Sequence, residues 1–137
     1  MSIILPAFAK VNLALEVGPR LVDGYHRLRT VFQAISLCDL VSLRCSPHLL
    51  VNCSYPGVPE GEANLAYRAA HSLRELLAQG EKRPPGDKPR STQGGGPGRG
   101  ACVDIYKAIP PAAGLGGGSS DAAATLRGLT WLWQAEV

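Results

Sequence analysis

Ile109-Pro110-Pro111-Ala112-Ala113-Gly114-Leu115-Gly116-Gly117-Gly118-Ser119-Ser120-Asp121-Ala122-Ala123-Ala124 runs a glycine-rich loop and two hydroxyls straight into an alanine-rich segment. Glycine lets a backbone approach a ligand without Cβ interference and adopt positive φ. A helix start supplies unpaired N–H groups at the positive end of a dipole, a combination that favours phosphate. Ser119, Ser120 and Asp121 are all good N-cap types, so the helix is expected to begin about there. The stretch reads as a phosphate cradle.

Two other phosphate loops are excluded residue by residue. A P-loop needs a Lys-Ser/Thr pair after its second glycine, and the chain has no lysine beyond Lys107. The dinucleotide fingerprint needs a third glycine where Ser119 stands. A flexible Gly/Ser linker is the bland alternative. The Pro110-Pro111 lead-in, Leu115 among the glycines and the periodic apolar segment that follows all count against it.

With 137 residues the chain is sized for one domain with a modest core. The net charge of +3 invites a nucleic-acid reading, but its location does not support one. Lys82, Arg83, Lys88, Arg90 and Arg99, against Glu81 and Asp87, carry the whole excess, and the remainder is balanced. Residues 80–100 contain no apolar side chain larger than proline, so they are expected to form a disordered surface insertion. Cys38, Cys45, Cys53 and Cys102 lack metal-binding spacing and read as reduced, mostly buried thiols. That usage suits the cytoplasm. No run approaches the ~18 apolar residues of a membrane span. Charge and hydropathy thus give no reason to expect a nucleic-acid or membrane partner.

Val11, Leu13, Leu15 and Val17 alternate with polar or small residues, the period of a half-buried strand, which Gly18-Pro19 is expected to end. Asp23-Gly24 signals a turn before a second β-rich run over Thr30–Leu37. Asp39 reads as a break ahead of a further strand over Leu40–Cys45. Leu49–Ser54 is a weaker strand candidate. Asn64 is placed to cap a helix carrying Leu65, Ala69, Leu73 and Leu76, and Gly80 to stop it. Cys102–Lys107 alternates as another strand, and the helix after the loop would bury Ala122, Leu126, Leu129 and Trp133. This order predicts an α+β fold.

Several of these features fall in one order: Phe8-Ala9-Lys10-Val11-Asn12, Asp23-Gly24-Tyr25-His26, Thr30-Val31-Phe32, Asn64-Leu65, then the loop to Asp121. The series resembles the N-terminal half of the 4-diphosphocytidyl-2-C-methyl-D-erythritol kinase family, within the GHMP small-molecule kinase superfamily. The loop alone would point only to the superfamily; Lys-x-Asn and Asp-Gly-Tyr-His narrow it. Phe8 stands where the family usually has proline, and Ala112 and Ala113 replace glycines found in some members.

The resemblance implies a domain like domain 2 of ribosomal protein S5, a mixed sheet with helices on one side, incomplete over residues 1–137. It implies transfer of the γ-phosphoryl of ATP, with Mg²⁺, to the 2-hydroxyl of cytidine diphosphate methylerythritol in non-mevalonate isoprenoid synthesis. ATP would lie over Pro110, Pro111, Ala112, Ala113, Gly114, Leu115, Gly116, Gly117, Gly118, Ser119 and Ser120, with Ser119 or Ser120 near the metal. Lys10 would be the catalytic lysine, Asn12 would contact the substrate, and Tyr25 and His26 would bind its cytidine part in a pocket that Phe32 helps to line. The family's catalytic aspartate lies in a Gly-Ala-Asp-Val-Pro segment beyond the second helix, and no such segment precedes Val137. Asp121 is no substitute, since it sits at the loop–helix junction. The chain is thus expected to lack that aspartate and the C-terminal domain. Three readings stay open: the start of a kinase, a nucleotide-binding half-domain without catalysis, and an interaction fragment exposing Leu126, Leu129, Trp131 and Trp133.

Overall fold

Two long runs rich in β-branched and apolar residues, parted by Asp23-Gly24, pair as one antiparallel hairpin. Its arms are β1 (Ser2–Arg20) and β2 (His26–Ser46), and Gly24 takes φ 87° in the turn between them. The computed structural model describes residues 2–80 and 99–134, so residues 81–98 of the expected insertion lie outside the described residues. After the hairpin come β3 (Leu50–Cys53), α1 (Leu65–Gly80), β4 (Gly100–Tyr106) and α2 (Gly117–Leu132). The sheet order is β1-β2-β4-β3, with β3 and β4 parallel and the other pairs antiparallel. A parallel pair requires a crossover, and α1 lies within it.

Strand alternation turns Val41, Leu43, Val103, Ile105 and Val51 toward one face, where Ala66, Ala70 and Leu73 of α1 and Ala124, Leu129 and Leu132 of α2 meet them. Each large aliphatic side chain buried this way contributes about 1.5–3 kcal/mol. The fold is a mixed α+β sheet with both helices on one face.

Several boundaries differ from the sequence reading for identifiable reasons. The first strand continues through Gly18-Pro19 and also includes Pro6, because β1 is the sheet's edge strand. An edge strand tolerates residues that cannot donate to a ladder. Nor does Asp39 break the second strand. Its side chain is fully buried and hydrogen-bonded, so β2 runs through it. Leu13, Leu15 and Val17 are exposed rather than half-buried, because the hairpin projects past the helices. On α1 the covered stripe is Ala66, Ala70 and Leu73, while Leu65 and Leu76 are exposed. Of the four residues expected to be buried after the loop, Leu129 on α2 and Trp133 at its C-cap are, Ala122 is half-buried and Leu126 is exposed, as is Trp131 at 77%. The interaction-fragment face is therefore only half there. All four cysteines are free, but Cys102 alone is buried and Cys45 is exposed.

Gly128 lets α2 sit close to the sheet. A Cβ built there would stand 2.5 Å from Leu43 Cδ1 and 3.3 Å from Leu5 Cδ1. Leu43 has no exposed surface into which to retreat. Gly128→Val is expected to cost about 1–3 kcal/mol by overpacking. Urea denaturation should show a lower midpoint at an unchanged slope; an unaltered midpoint would refute the close packing of α2.

Candidate functional site

The glycine loop folds into a concave wall because three of its residues take left-handed backbone. Ala112 has φ 59°, Gly114 73° and Gly116 74°. For Gly116 the requirement is double, since a Cβ would also stand 3.2 Å from Lys10 Cγ and Cε. Ala112 holds its strained conformation without that freedom, at a cost of about 1–2 kcal/mol. Backbone strain of this kind tends to collect where loops grip ligands.

Gly116 is the N-cap of α2, and no side chain caps the helix. The helix thus begins at Gly117, earlier than the Ser119–Asp121 expected from cap preference: αL glycine supplies the entry. The first intrahelical bond runs from Ser120 N–H to the Gly116 carbonyl at 3.0 Å. By helix geometry the N–H groups of Gly117, Gly118 and Ser119 are left without intrahelical acceptors. They border a cleft of about 380 Å³ lined by Pro110–Ser119, Asp121, Lys107, Pro59, Asn64 and Leu65. Open donors, the positive end of a helix dipole and a cavity coincide. That is the physical description of an anion site.

Asn64 closes the far side of the cleft. Its Oδ1 accepts the Ala66 N–H at 2.8 Å, capping α1 as expected, and its Nδ2 donates to the Pro59 carbonyl at 2.9 Å. Ser119 lines the cleft, whereas Ser120 does not. Among the described residues no three His, Cys, Asp or Glu side chains gather as metal ligands.

Lys10 is fastened to the loop. Its backbone N–H donates to the Leu115 carbonyl at 3.0 Å, and its aliphatic stem lies against Gly116. The ammonium donates to Asn12 Oδ1 at 2.6 Å and stands 5.2 Å from the centre of the Phe32 ring. Asn12 and Phe32 face each other across the hairpin, which explains their shared company. The pairing of β1 with β2 shifts register between Phe8 and Lys10, an irregularity of the sort that re-aims side chains beside active sites. Lys10, Asn12, Phe32 and the loop thus come together. Tyr25 and His26 do not join them. His26 pairs with Arg20 at the hairpin end, six residues along β2 from Phe32, on the order of 20 Å of strand. Tyr25 is 75% exposed, with its N–H donating to Asp23 Oδ1 at 3.0 Å.

Beneath the loop lies a group that the sequence reading missed. Asp39 Oδ1 accepts the Ala108 and Ile109 N–H groups at 2.6 and 2.8 Å, and Oδ2 pairs with Lys107 Nζ. Lys107 Nζ also donates to Asp121 Oδ2 at 2.8 Å. All three side chains are almost wholly buried. The available signal was an aspartate inside an apolar β-run, since a buried carboxylate must find a partner.

Two carboxylates share one ammonium, and their surroundings separate them. Burial pushes the Asp39 carboxyl up, but the Lys107 bond and two backbone donors outweigh it and hold the group below its usual range. Asp121 has no backbone donor, and its Oδ1 is buried without a partner. Burial dominates there and pushes it up to about 6 despite Lys107. Burial also disfavours the charge on Lys107, but the bonds it donates to Asp121 and Asp39 raise its pKa overall. Asp121 thus pairs with Lys107 and not with Lys10.

Residues 64–137, more than half of the chain, match the family model described as GHMP kinases N terminal domain. The chain belongs to the GHMP kinase family. It is 44% identical over 133 residues to a Pelobacter propionicus protein named 4-diphosphocytidyl-2-C-methyl-D-erythritol kinase, covering 96% of this chain and 41% of that relative. A Geobacter sulfurreducens protein of the same name is 45% identical over the same shares. A crystal structure of 4-(cytidine 5'-diphospho)-2C-methyl-D-erythritol kinase superposes with a TM-score of 0.71 at 39% identity, covering 98% of this chain and 42% of that one. A mevalonate kinase, 18% identical with a TM-score of 0.62, shares the GHMP fold. The chain spans about two-fifths of the length of the curated relatives it matches.

The raised Asp121 pKa has a defined sign in stability. Between its ordinary value of 3.8 and about 6, the folded state keeps a proton that the unfolded state has released. Stability from this group therefore falls as pH rises through that window. Urea denaturation of the wild type and Asp121→Asn at pH 4, 5, 6 and 7 should show the wild type losing stability relative to the variant up to about pH 6. A pH-independent difference would mean that Asp121 titrates normally.

Proposed function

We propose that the chain carries the ATP-binding part of a 4-diphosphocytidyl-2-C-methyl-D-erythritol kinase, which moves the γ-phosphoryl of ATP to the 2-hydroxyl of its sugar-alcohol substrate. The observation that carries this reading is Lys10 held against Leu115–Gly116, beside the open N-terminus of α2. Identities of 44–45% to proteins of that name support the substrate class.

In this reading the N–H groups of Gly117, Gly118 and Ser119 hold the phosphates of ATP, and the apolar end of the cleft around Pro59 and Leu65 takes the base. Phosphoryl transfer needs little covalent help from a protein; positioning and charge stabilisation do most of the work. Donors fixed before the reaction need no reorganisation as charge develops. The Lys10 ammonium, oriented by Asn12, stabilises the attacking oxygen and the transferred group. Mg²⁺ would screen phosphate charge; such ions keep substrate phosphates and water among their ligands, so the Ser119 hydroxyl at the cleft wall is a sufficient protein contribution.

Phe32, expected in the cytidine pocket, instead stands with Asn12 at the acceptor end, next to Lys10 and six residues of strand from His26. We assign Tyr25 and His26 to the cytidine, the part of the substrate furthest from the reacting hydroxyl, reached along the projecting hairpin. An aromatic ring stacks on a base, and imidazole reads its edge. Cytoplasmic location suits a small-molecule kinase, and no described helix is long and apolar enough to cross a membrane.

Calorimetry with ATP and Mg²⁺ tests the cleft directly. Saturable binding to the folded chain is expected, and Gly116→Val should weaken it at least tenfold by straining φ 74° and pressing on Lys10. A folded wild type that takes no ATP would sink the proposal. The cytidine assignment has its own check. Tyr25→Ala should weaken CDP about tenfold, in line with ~1–3 kcal/mol for a base stacked on an aromatic ring. ATP affinity should stay unchanged. Equal losses for both nucleotides would remove Tyr25 from the cytidine site.

A further inference from the structure

We infer that Asp39 is a positioning residue for the glycine loop, acting through Lys107 and Asp121 as a clamp across the loop's base; the inference rests on the reading that this loop holds ATP phosphates. Asp39 comes from β2, far away in sequence, and is fully buried. It fixes the chain where the loop departs from β4, by accepting the Ala108 and Ile109 N–H groups at 2.6 and 2.8 Å. Lys107 then carries the connection across to Asp121, the fifth residue of α2, at 2.8 Å. Both ends of the loop are thereby tied to a single buried carboxylate.

The intervening backbone has little else to hold it. Pro110–Gly116 forms no regular structure and is mostly exposed, and the Lys10 N–H donates to the Leu115 carbonyl to tie it to β1. A loop of left-handed residues with free ends would sample many shapes, and each alternative would scatter the donors at Gly117–Ser119. Fixing both ends removes that freedom before ligand arrives, which is how preorganisation raises affinity. The clamp also has fine tolerance at its centre. A Cβ on Gly117 would stand 3.1 Å from Lys107 Nζ and 3.0 Å from Ile109 Cγ2, so the helix start is seated directly on the clamp. Asp39 itself does not line the cleft, so its effect on a ligand must pass through these contacts.

The test uses the full chain, with Asp39→Asn and the double variant D39N/K107M. In the single variant the new amide faces the Lys107 ammonium, donor against donor. The double removes that conflict and serves as the second variant where the single does not fold. Backbone hydrogen exchange is followed over residues 108–119 and over α1, and binding of ATP and of adenosine is measured alongside. Faster exchange in the loop with α1 unchanged is expected, together with ATP weakened about tenfold and adenosine within twofold. A role in general stability would instead move α1 exchange and both ligands together, and would overturn the proposal. So would loop exchange equal to wild type in both variants. If the wild type bound no ATP while loop exchange still rose selectively, the nucleotide reading would fall and the clamp would stand.

Discussion

One ammonium shared by two buried carboxylates sets the geometry on which everything else near the cleft depends. Taking three charges out of water is expensive, and it is tolerated only where each finds good partners. Asp39 meets that condition with Lys107 and two backbone donors; Asp121 meets it only in part, with one oxygen left unpartnered. The asymmetry accounts for the opposite directions of their pKa values. It also ties the hairpin, the last strand and the second helix into one unit at the point where the glycine loop leaves the sheet. A purely apolar cluster could have filled the space. It could not have fixed the angle at which two backbone N–H groups leave β4.

The helix–sheet packing completes what the clamp begins. Gly128 brings α2 down onto Leu43 and Leu5, while Gly116 turns the chain into the helix with its first N–H groups exposed. The close contact at one end and the left-handed cap at the other determine where the dipole of α2 points. The donors at its start then meet the cleft wall formed by Asn64 and Leu65. Function at this site is thus a matter of where a helix begins, more than of any one side chain.

Much of this was legible in the sequence, and the exceptions share a cause. The turn at Asp23-Gly24, the Asn64 cap and the glycine loop are local features, set by backbone preferences over a few residues; the first two stand where the residues point, and the loop does so up to Gly116, where the helix begins early. Lys10 and Asn12 sharing a strand face follows from a two-residue period, and the 2.6 Å bond between them agrees with it. The errors arise where a distant partner overrides a local signal. Asp39 reads as a strand break only because its partners lie 68 to 70 positions away. Pro19 reads as a stop only if the strand's place at the sheet edge is unknown. The α1 stripe is off by one position because Leu65 faces the cleft, where the ligand rather than the core is its expected neighbour.

The projecting hairpin gives these features a common logic. Ala7 and Ala9, on the part of β1 that packs against α2, have almost no exposed surface, whereas Leu13, Leu15 and Val17 are exposed. Lys10 falls at the boundary, at the register shift that separates the covered part of the arm from the open part. A lysine there is half-buried, with its ammonium supported by Asn12 and Phe32 and still reachable from the open side. Deeper along β1 it would need a carboxylate partner to offset desolvation, which would cancel its charge toward a phosphoryl group. Farther out it would be screened by water and separated from the loop. A lysine that is to act on a transferred phosphoryl group has to sit where burial ends, and on this strand that place is position 10.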